Sequence, residues 1–279
     1  MKHFGRFFLI ILAISMVLQP FCVFASEPIQ GDMNGDGKLT ASDAREILIL
    51  SVTNEKQKRA VTSKADINGD GVIGALDARA VLRISIGLSY EGRLKGYTEK
   101  GYPVYEKDGL TFIDGVLIAN KTYSLPEAYA PDGLLSECEN AFSLMKKDAA
   151  AKGLSIYISS GYRSYSYQEN LYNRYVRRDG KALADTYSAR PGHSEHQTGL
   201  AIDLNTVTRS FGNTKEGKWV AAHCHEYGFI IRYPEGKSHI TGYSYEPWHL
   251  RYVGVETAKR ITESGLCLEE YYGITSVYS

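Results

Sequence analysis

One stretch decides how this chain folds and what it can do: Ser194-Glu195-His196-Gln197-Thr198-Gly199-Leu200-Ala201-Ile202-Asp203. It places the imidazole of His196 seven positions before the carboxylate of Asp203, with a run of small and apolar residues leading up to the carboxylate. Imidazole and carboxylate both bind first-row metals, and a mixed nitrogen and oxygen set suits zinc. A buried structural pair joined by a hydrogen bond would have the same spacing, so the rest of the chain must decide.

A second stretch, Glu246-Pro247-Trp248-His249, offers the groups that a catalytic zinc site still needs. His249 is the predicted third ligand, because three protein ligands leave one tetrahedral position open for water. Water at such a position has a pKa of about 7 and is a usable nucleophile. Glu246 is the predicted general base, and Pro247 favours an extended backbone at Glu246, which excludes a helical arrangement of base and ligand.

Arg163 is the predicted fixed positive charge of the site. It follows Gly161 at the end of a predicted strand, where functional side chains are common. A guanidinium group can bind a carboxylate through two hydrogen bonds or stabilise a developing oxyanion. The alternative is a structural ion pair with Asp185 or Glu169.

An internal repeat near the N-terminus has the pattern of a calcium-binding loop. Its two copies begin at Asp32 and Asp66, and glycine holds the sixth position of each loop, at Gly37 and Gly71, where the backbone turns sharply. Side-chain oxygens hold positions one, three, five and twelve, and position seven contributes a backbone carbonyl. The predicted calcium ligands are Asp32, Asn34, Asp36, Lys38 and Asp43 in the first loop, and Asp66, Asn68, Asp70, Val72 and Asp77 in the second.

The composition and the N-terminus indicate where the protein acts. The 279 residues carry a formal net charge of +0, which gives no support to a nucleic-acid partner. Lys2 and Arg6 precede an apolar run over residues 7–18, and a small-residue cleavage site follows at Ala25, as in a secretory signal peptide. We therefore expect a secreted, extracellular or cell-surface protein with no transmembrane segment after cleavage. An uncleaved membrane anchor is the alternative, although the apolar run is short for a spanning helix.

The hydrophobic periodicity predicts helices and short strands that alternate without a regular βαβ order. Asp114-Gly115 predicts a hairpin, and helices are expected over residues 134–152 and 255–264. The predicted fold class is α+β, with a small antiparallel sheet and flanking helices. The predicted division is a signal peptide over 1–25, a calcium-binding module over 27–90, a linker over 91–108 and a catalytic domain over 109–279.

Three motifs carry a family resemblance: residues 159–165 with Gln168, residues 189–203, and residues 246–254. Together they resemble the D-alanyl-D-alanine carboxypeptidases of the VanY type, whose relatives include VanX dipeptidases and LD-carboxypeptidases. The resemblance implies one catalytic zinc at the ligands named above, Glu246 as base, and Arg163 near the scissile carbonyl or the terminal carboxylate. It further implies that Gln168 and Ser194 donate hydrogen bonds to substrate, while Trp248 is expected in the cleft wall.

The substrate implied by this resemblance is a peptidoglycan stem peptide that loses its C-terminal D-alanine. An LD-carboxypeptidase or an endopeptidase could use the same zinc site. A non-catalytic module that binds wall peptides is a further alternative.

The calcium repeat is similar to a dockerin, a small all-α module with two structural calcium ions. Each loop ends in Asp rather than in the Glu of a sensor EF-hand, and no helix precedes it. The resemblance implies a cohesin domain of a scaffold protein as partner, contacted through Ala41-Ser42 and Ala75-Leu76. The alternative is a module in which calcium only supplies folding free energy.

Overall fold

A computed structural model of the chain describes residues 29–53, 64–67, 73–85 and 92–278. The predicted signal peptide, residues 1–25, lies outside the described residues, as do Asn68, Asp70 and Val72 of the second calcium loop. In the part of the chain that is described, no helix has the length and apolar character needed to cross a bilayer.

The described part contains helices and two antiparallel sheets. The helices are α1 (Ala41–Ser51), α2 (Ala75–Ser85), α3 (Ser136–Ala151), α4 (Tyr165–Asp179), α5 (Lys181–Ala184), α6 (Lys215–His223), α7 (Ser238–Thr241), α8 (Val255–Ser264) and α9 (Leu268–Tyr272). The strands are β1 (Arg93–Tyr97), β2 (Pro103–Lys107), β3 (Leu110–Ile113), β4 (Val116–Ile118), β5 (Ile158–Ser160), β6 (Ala201–Leu204), β7 (Phe229–Tyr233) and β8 (Glu246–Tyr252).

The first of the two predicted calcium loops is closed by its own acidic side chains. Asp32 accepts hydrogen bonds from the backbone N–H of Gly35 and Gly37. Asp43, which is fully buried, accepts from the N–H groups of Met33 and Thr40 and so joins the loop to the start of α1. In the second loop, the side chain of Asp77 accepts from the N–H groups of residues 67 and 74 in the same way. The last acidic residue of each loop therefore ties that loop to the helix that follows.

The first sheet has the strand order β1-β2-β3-β4. The predicted hairpin is confirmed, because β3 and β4 flank Asp114 and Gly115, which both have positive φ values, 49° and 85°. The predicted linker over residues 91–108 is wrong for most of its length, since β1 and β2 lie within it. Val104 and Tyr105 lie on opposite faces of β2. Val104 packs against the apolar cluster around Ile113, so this polar-looking segment has an apolar surface to fold against.

The second sheet has the order β5-β6-β8-β7 and carries the site. Ile202 on β6 and Leu250 on β8 are fully buried, and both belong to one core cluster with Met145 of α3. The predicted helices over residues 134–152 and 255–264 are confirmed by α3 and α8 to within two residues at each end. The α+β class is confirmed for residues 92–278, whereas the all-α class of the calcium module stays a prediction.

Gly199 joins the turn that carries His196 to strand β6, and its backbone admits no larger residue. Its φ is +72°, and an added Cβ would lie 2.8 Å from the carbonyl oxygen of Gly133. We expect Gly199→Ala to lower the free energy of unfolding by more than the roughly 1–3 kcal/mol that a strained φ alone costs. Gly265→Ala is the matched control, because φ there is +66° with open space around the added Cβ. Urea denaturation of the full chain measures both, and equal losses would contradict the predicted clash.

Candidate active site

His196, Asp203 and His249 meet in one cleft. Their ligating atoms lie within 4.8 Å of one another, and the residues are 3%, 2% and 4% exposed. Asp203 and His249 are direct partners across β6 and β8. His249 Nδ1 lies 3.1 Å from Asp203 Oδ1, yet this oxygen is buried without an aligned hydrogen-bond donor. Lone pairs that converge in this way fit a bound metal ion, because a buried acceptor otherwise costs free energy when it has no partner.

In each histidine, the ring nitrogen that faces away from Asp203 contacts another oxygen of the protein. His196 Nδ1 lies 2.6 Å from the carbonyl oxygen of Gly161, so its N–H donates there and Nε2 faces Asp203 at 3.2 Å. His249 has the opposite arrangement: its Nε2 lies 3.3 Å from Glu195 Oε2, and Nδ1 faces Asp203. Such outer hydrogen bonds fix the tautomer and the ring orientation of histidines that bind metals.

The pKa shifts favour the deprotonated forms of His196 and Asp203, which are the forms that bind a metal. Burial lowers the pKa of His196, and the nearby Arg163 guanidinium lowers it further. Burial by itself raises the pKa of Asp203, but the histidines beside it bring this pKa well below its ordinary value of 3.8. Burial lowers the pKa of His249, while the carboxylates of Asp203 and Glu195 raise it more strongly, to about 9. A metal ion held by Nδ1 of His249 would therefore have to displace a proton there.

Glu246 has the properties expected of the base. Its Oε2 lies 3.9 Å from His249 Nδ1. Burial raises the pKa of Glu246 to about 7, against the opposing effect of His249. A carboxylate whose pKa lies near neutrality can both take and return a proton efficiently.

An irregularity in strand pairing allows Glu246 to reach the cleft. Side chains three positions apart point to opposite faces of a regular strand. Here Ile231 pairs with Leu250 and Tyr233 pairs with Glu246, so two steps along β7 correspond to four along β8. Such a bulge re-aims side chains, and Pro247, which has no N–H for the ladder, lies inside it.

Arg163 contacts the proposed ligand set directly. Its Nη2 donates to Asp203 Oδ2 at 2.7 Å, and its Nε donates to Ser160 Oγ at 3.1 Å. The suggested pairing with Asp185 is wrong, because Asp185 binds Arg190 instead. The Arg163 side chain is 20% exposed within the cleft. A guanidinium has five N–H donors, so donors remain for a second anion.

The other predicted pocket residues line the same cleft, and the side-chain amide of Gln168 already makes a hydrogen bond within the protein. Gln168, Ser194 and Trp248 all contribute to the lining. The Nε2 of Gln168 already donates to the carbonyl oxygen of Ala189 at 2.7 Å, and its buried Oε1 has no partner. The donor role predicted for Gln168 stays a prediction, and its free hydrogen-bonding atom is the acceptor Oε1. Trp248 also packs in the core behind the cleft.

Sequence reasoning missed three charged residues behind the site. Glu195, Arg232 and Arg251 are essentially buried, and Glu195 accepts hydrogen bonds from both arginines. One signal could have revealed them: Arg232 interrupts the apolar strand Phe229–Tyr233, where an unpaired charge would be costly.

Comparisons with known proteins identify the family of this chain. The family model for VanY, D-alanyl-D-alanine carboxypeptidase, matches residues 132–255, and the dockerin type I domain model matches residues 30–84. The solved structure of the LdcB LD-carboxypeptidase is 38% identical, with a TM-score of 0.55, and the match covers 63% of this chain and 94% of that chain. The chain belongs to the VanY family of D-alanyl-D-alanine carboxypeptidases.

Other known proteins are also similar to this VanY-family peptidase. YodJ of Bacillus subtilis (strain 168) is 39% identical over 193 residues, which cover 59% of this chain and 71% of YodJ. A variant of the D,D-pentapeptidase VanY, solved in complex with Zn(II), is 37% identical with a TM-score of 0.50, over 55% of this chain and 96% of that chain. The chain spans 49% and 42% of the length of two enterococcal D-alanyl-D-alanine carboxypeptidases that it matches.

Proposed function

We propose that this VanY-family peptidase is a zinc-dependent carboxypeptidase that removes the C-terminal D-alanine from peptidoglycan stem peptides. The supporting observation is that His196, Asp203 and His249 share one cleft with Glu246 and Arg163. Two imidazoles and one carboxylate leave zinc an open tetrahedral position, as catalytic zinc sites do. The Zn(II) bound by the related VanY variant supports the choice of metal.

In this proposal the side chains divide the chemistry among them. Zinc, when bound, is a Lewis acid that lowers the pKa of water to about 7. Glu246 takes the proton of the attacking water and returns it to the leaving amine of D-alanine. Arg163 stabilises negative charge on the substrate, through the guanidinium donors that Asp203 and Ser160 do not use.

The cleft also offers groups for the end of a peptide. A C-terminal carboxylate that enters a closed site loses its hydration, so it needs a charged or donating partner. Arg163 and the hydroxyl of Ser194 are the proposed partners. The Oε1 of Gln168 is the proposed acceptor for a peptide N–H of the substrate. Trp248 is the proposed wall against which the peptide packs.

An LD-carboxypeptidase is the second candidate, and the extent of the matches supports it. The LdcB match covers 63% of this chain, whereas the VanY match covers 55%. Both activities release D-alanine and differ in the configuration of the residue before the bond. The same zinc, base and arginine would serve either one.

Incubation of the full chain with muropeptides decides between these substrates. We expect free D-alanine from pentapeptides ending in D-Ala-D-Ala, detected by mass analysis. Release of D-alanine only from tetrapeptides ending in L-Lys-D-Ala or meso-diaminopimelate-D-Ala would establish the second candidate. Release of an internal fragment would overturn both and make the protein an endopeptidase.

The N-terminal module is proposed to dock this peptidase, outside the cell or at its surface, onto a cohesin-bearing scaffold. The dockerin type I match over residues 30–84 supports this proposal. Two structural calcium ions are proposed for the loops, at the ligands named from the sequence. Docking would raise the local concentration of the enzyme at its substrate. Binding of the full chain to a panel of cohesins, with and without calcium, tests this proposal, and a panel without any binding would contradict it.

A further inference from the structure

A buried network of four charged side chains lies directly behind the zinc ligand His249. Glu195 uses its two oxygens for different partners: Oε1 accepts from Arg232 Nε at 2.7 Å and from Arg251 Nη1 at 3.0 Å. Oε2 lies 3.3 Å from His249 Nε2. The arginines therefore occupy one oxygen of Glu195 and leave the other to the imidazole.

A second carboxylate completes the network. Glu269 accepts two hydrogen bonds from the guanidinium of Arg232 and one from the side-chain amide of Asn120 at 3.1 Å. Two arginines and two glutamates balance in charge, and all four are 0–1% exposed. Removing one partner of a buried ion pair is strongly destabilising. The two arginines therefore hold the carboxylate of Glu195 in one position.

Three of the groups that hold this network lie outside residues 132–255, which the VanY family model matches. Glu269 belongs to α9, and Asn120 follows β4. The carbonyl oxygen of Leu117, on β4, accepts a hydrogen bond from Arg251 Nη2. The first sheet and the last helix thus reach the zinc ligand through Arg251 and Arg232.

We propose that Glu195 is a positioning residue for the metal site. Its carboxylate accepts the Nε2–H of His249 and thereby directs Nδ1 at the metal, while its neighbour His196 supplies a ligand from the same turn. Strand β4 and helix α9 support this arrangement from outside the matched core. The inference rests on the proposed metal site, and its consequence is that metal affinity depends on residues that touch neither metal nor substrate.

Two substitutions in the full chain test the proposal, and each removes one charge from the network. Glu195→Gln is expected to weaken zinc affinity by about 10–100-fold, the usual cost of losing an outer partner of a ligand histidine. Glu269→Gln is the matched control, because Glu269 contacts Arg232 but not His249. It is expected to lower thermal stability with a smaller change in zinc affinity. Competition with a chromophoric chelator gives the affinities, and circular dichroism gives the melting temperatures.

An unchanged zinc affinity in Glu195→Gln, or equal losses in the two variants, would overturn the proposal, because the contact between Glu195 and His249 would then have no effect of its own. A measurement on the unsubstituted chain covers the case in which Glu195→Gln does not fold. The ¹⁵N shifts of His249 in the zinc-loaded protein are expected to show a protonated Nε2 and a metal-bound Nδ1. The reverse assignment would overturn the proposal. Neither readout depends on turnover, so a failure of the proposed peptide cleavage is seen separately, in the muropeptide assay.

Discussion

Glu246→Gln is expected to lower kcat by about 10²–10⁴-fold, the range that a positioned general base contributes. Glutamine keeps the size of the side chain but cannot accept the proton of the attacking water. Because Glu246 is not a predicted ligand, the zinc content should stay that of the parent. The rate of D-alanine release and the metal content, determined on the same samples, check both statements.

Glu235→Gln is the control for this substitution, since Glu235 is an exposed residue between β7 and β8. Equal release of D-alanine by Glu246→Gln and the parent would remove Glu246 from the mechanism. A parent that binds wall peptides tightly but never cleaves them would instead establish the non-catalytic binding module. The experiment therefore separates the enzyme from the alternative that shares its fold.

Loss of the metal is expected to have the other large effect. His196→Ala removes one of three proposed ligands, so zinc affinity should fall by more than the roughly 10–100-fold that an outer partner contributes. Activity should fall with the zinc content, because the proposed zinc is the group that lowers the pKa of the attacking water. His239→Ala, at an exposed histidine of α7, is the matched control.

Chelation tests the same site without a substitution. We expect a chelator to abolish D-alanine release, and zinc but not calcium to restore it. Recovery with calcium alone would place the essential metal in the N-terminal loops instead of the cleft. Full activity in zinc-free His196→Ala would contradict the proposed role of the metal.

Much of the site could be predicted because the residues with the required chemistry lie in short motifs. His196 with Asp203 and Glu246 with His249 are pairs of residue types that bind metal or move protons, and the structure brings all four together. Gly199 is predictable in the same way, because a chain that turns back into β6 needs a residue that tolerates positive φ. Such requirements are local, so a few neighbouring residues express them.

Other features depend on contacts between distant segments. The segment over residues 91–108 reads as a polar linker, yet β1 and β2 form there because β3 and β4 offer them an edge and an apolar face. The side-chain amide nitrogen of Gln168 is engaged by the carbonyl of Ala189, twenty-one positions along the chain, which leaves only its oxygen without a partner. Neither outcome is visible in the residues themselves.

The sequence by itself determined the proposed metal ligands, the proposed base and the proposed arginine, because each of these functions requires a particular side-chain chemistry at a particular spacing. Only the tertiary structure decided how these side chains are oriented. A bulge between β7 and β8 brings Glu246 to the same side as His249, and Glu195 holds that imidazole from behind, through arginines that reach β4 and α9. The orientation of side chains in a buried site depends on strand register and on ion pairs between distant segments, which no single stretch of the chain contains.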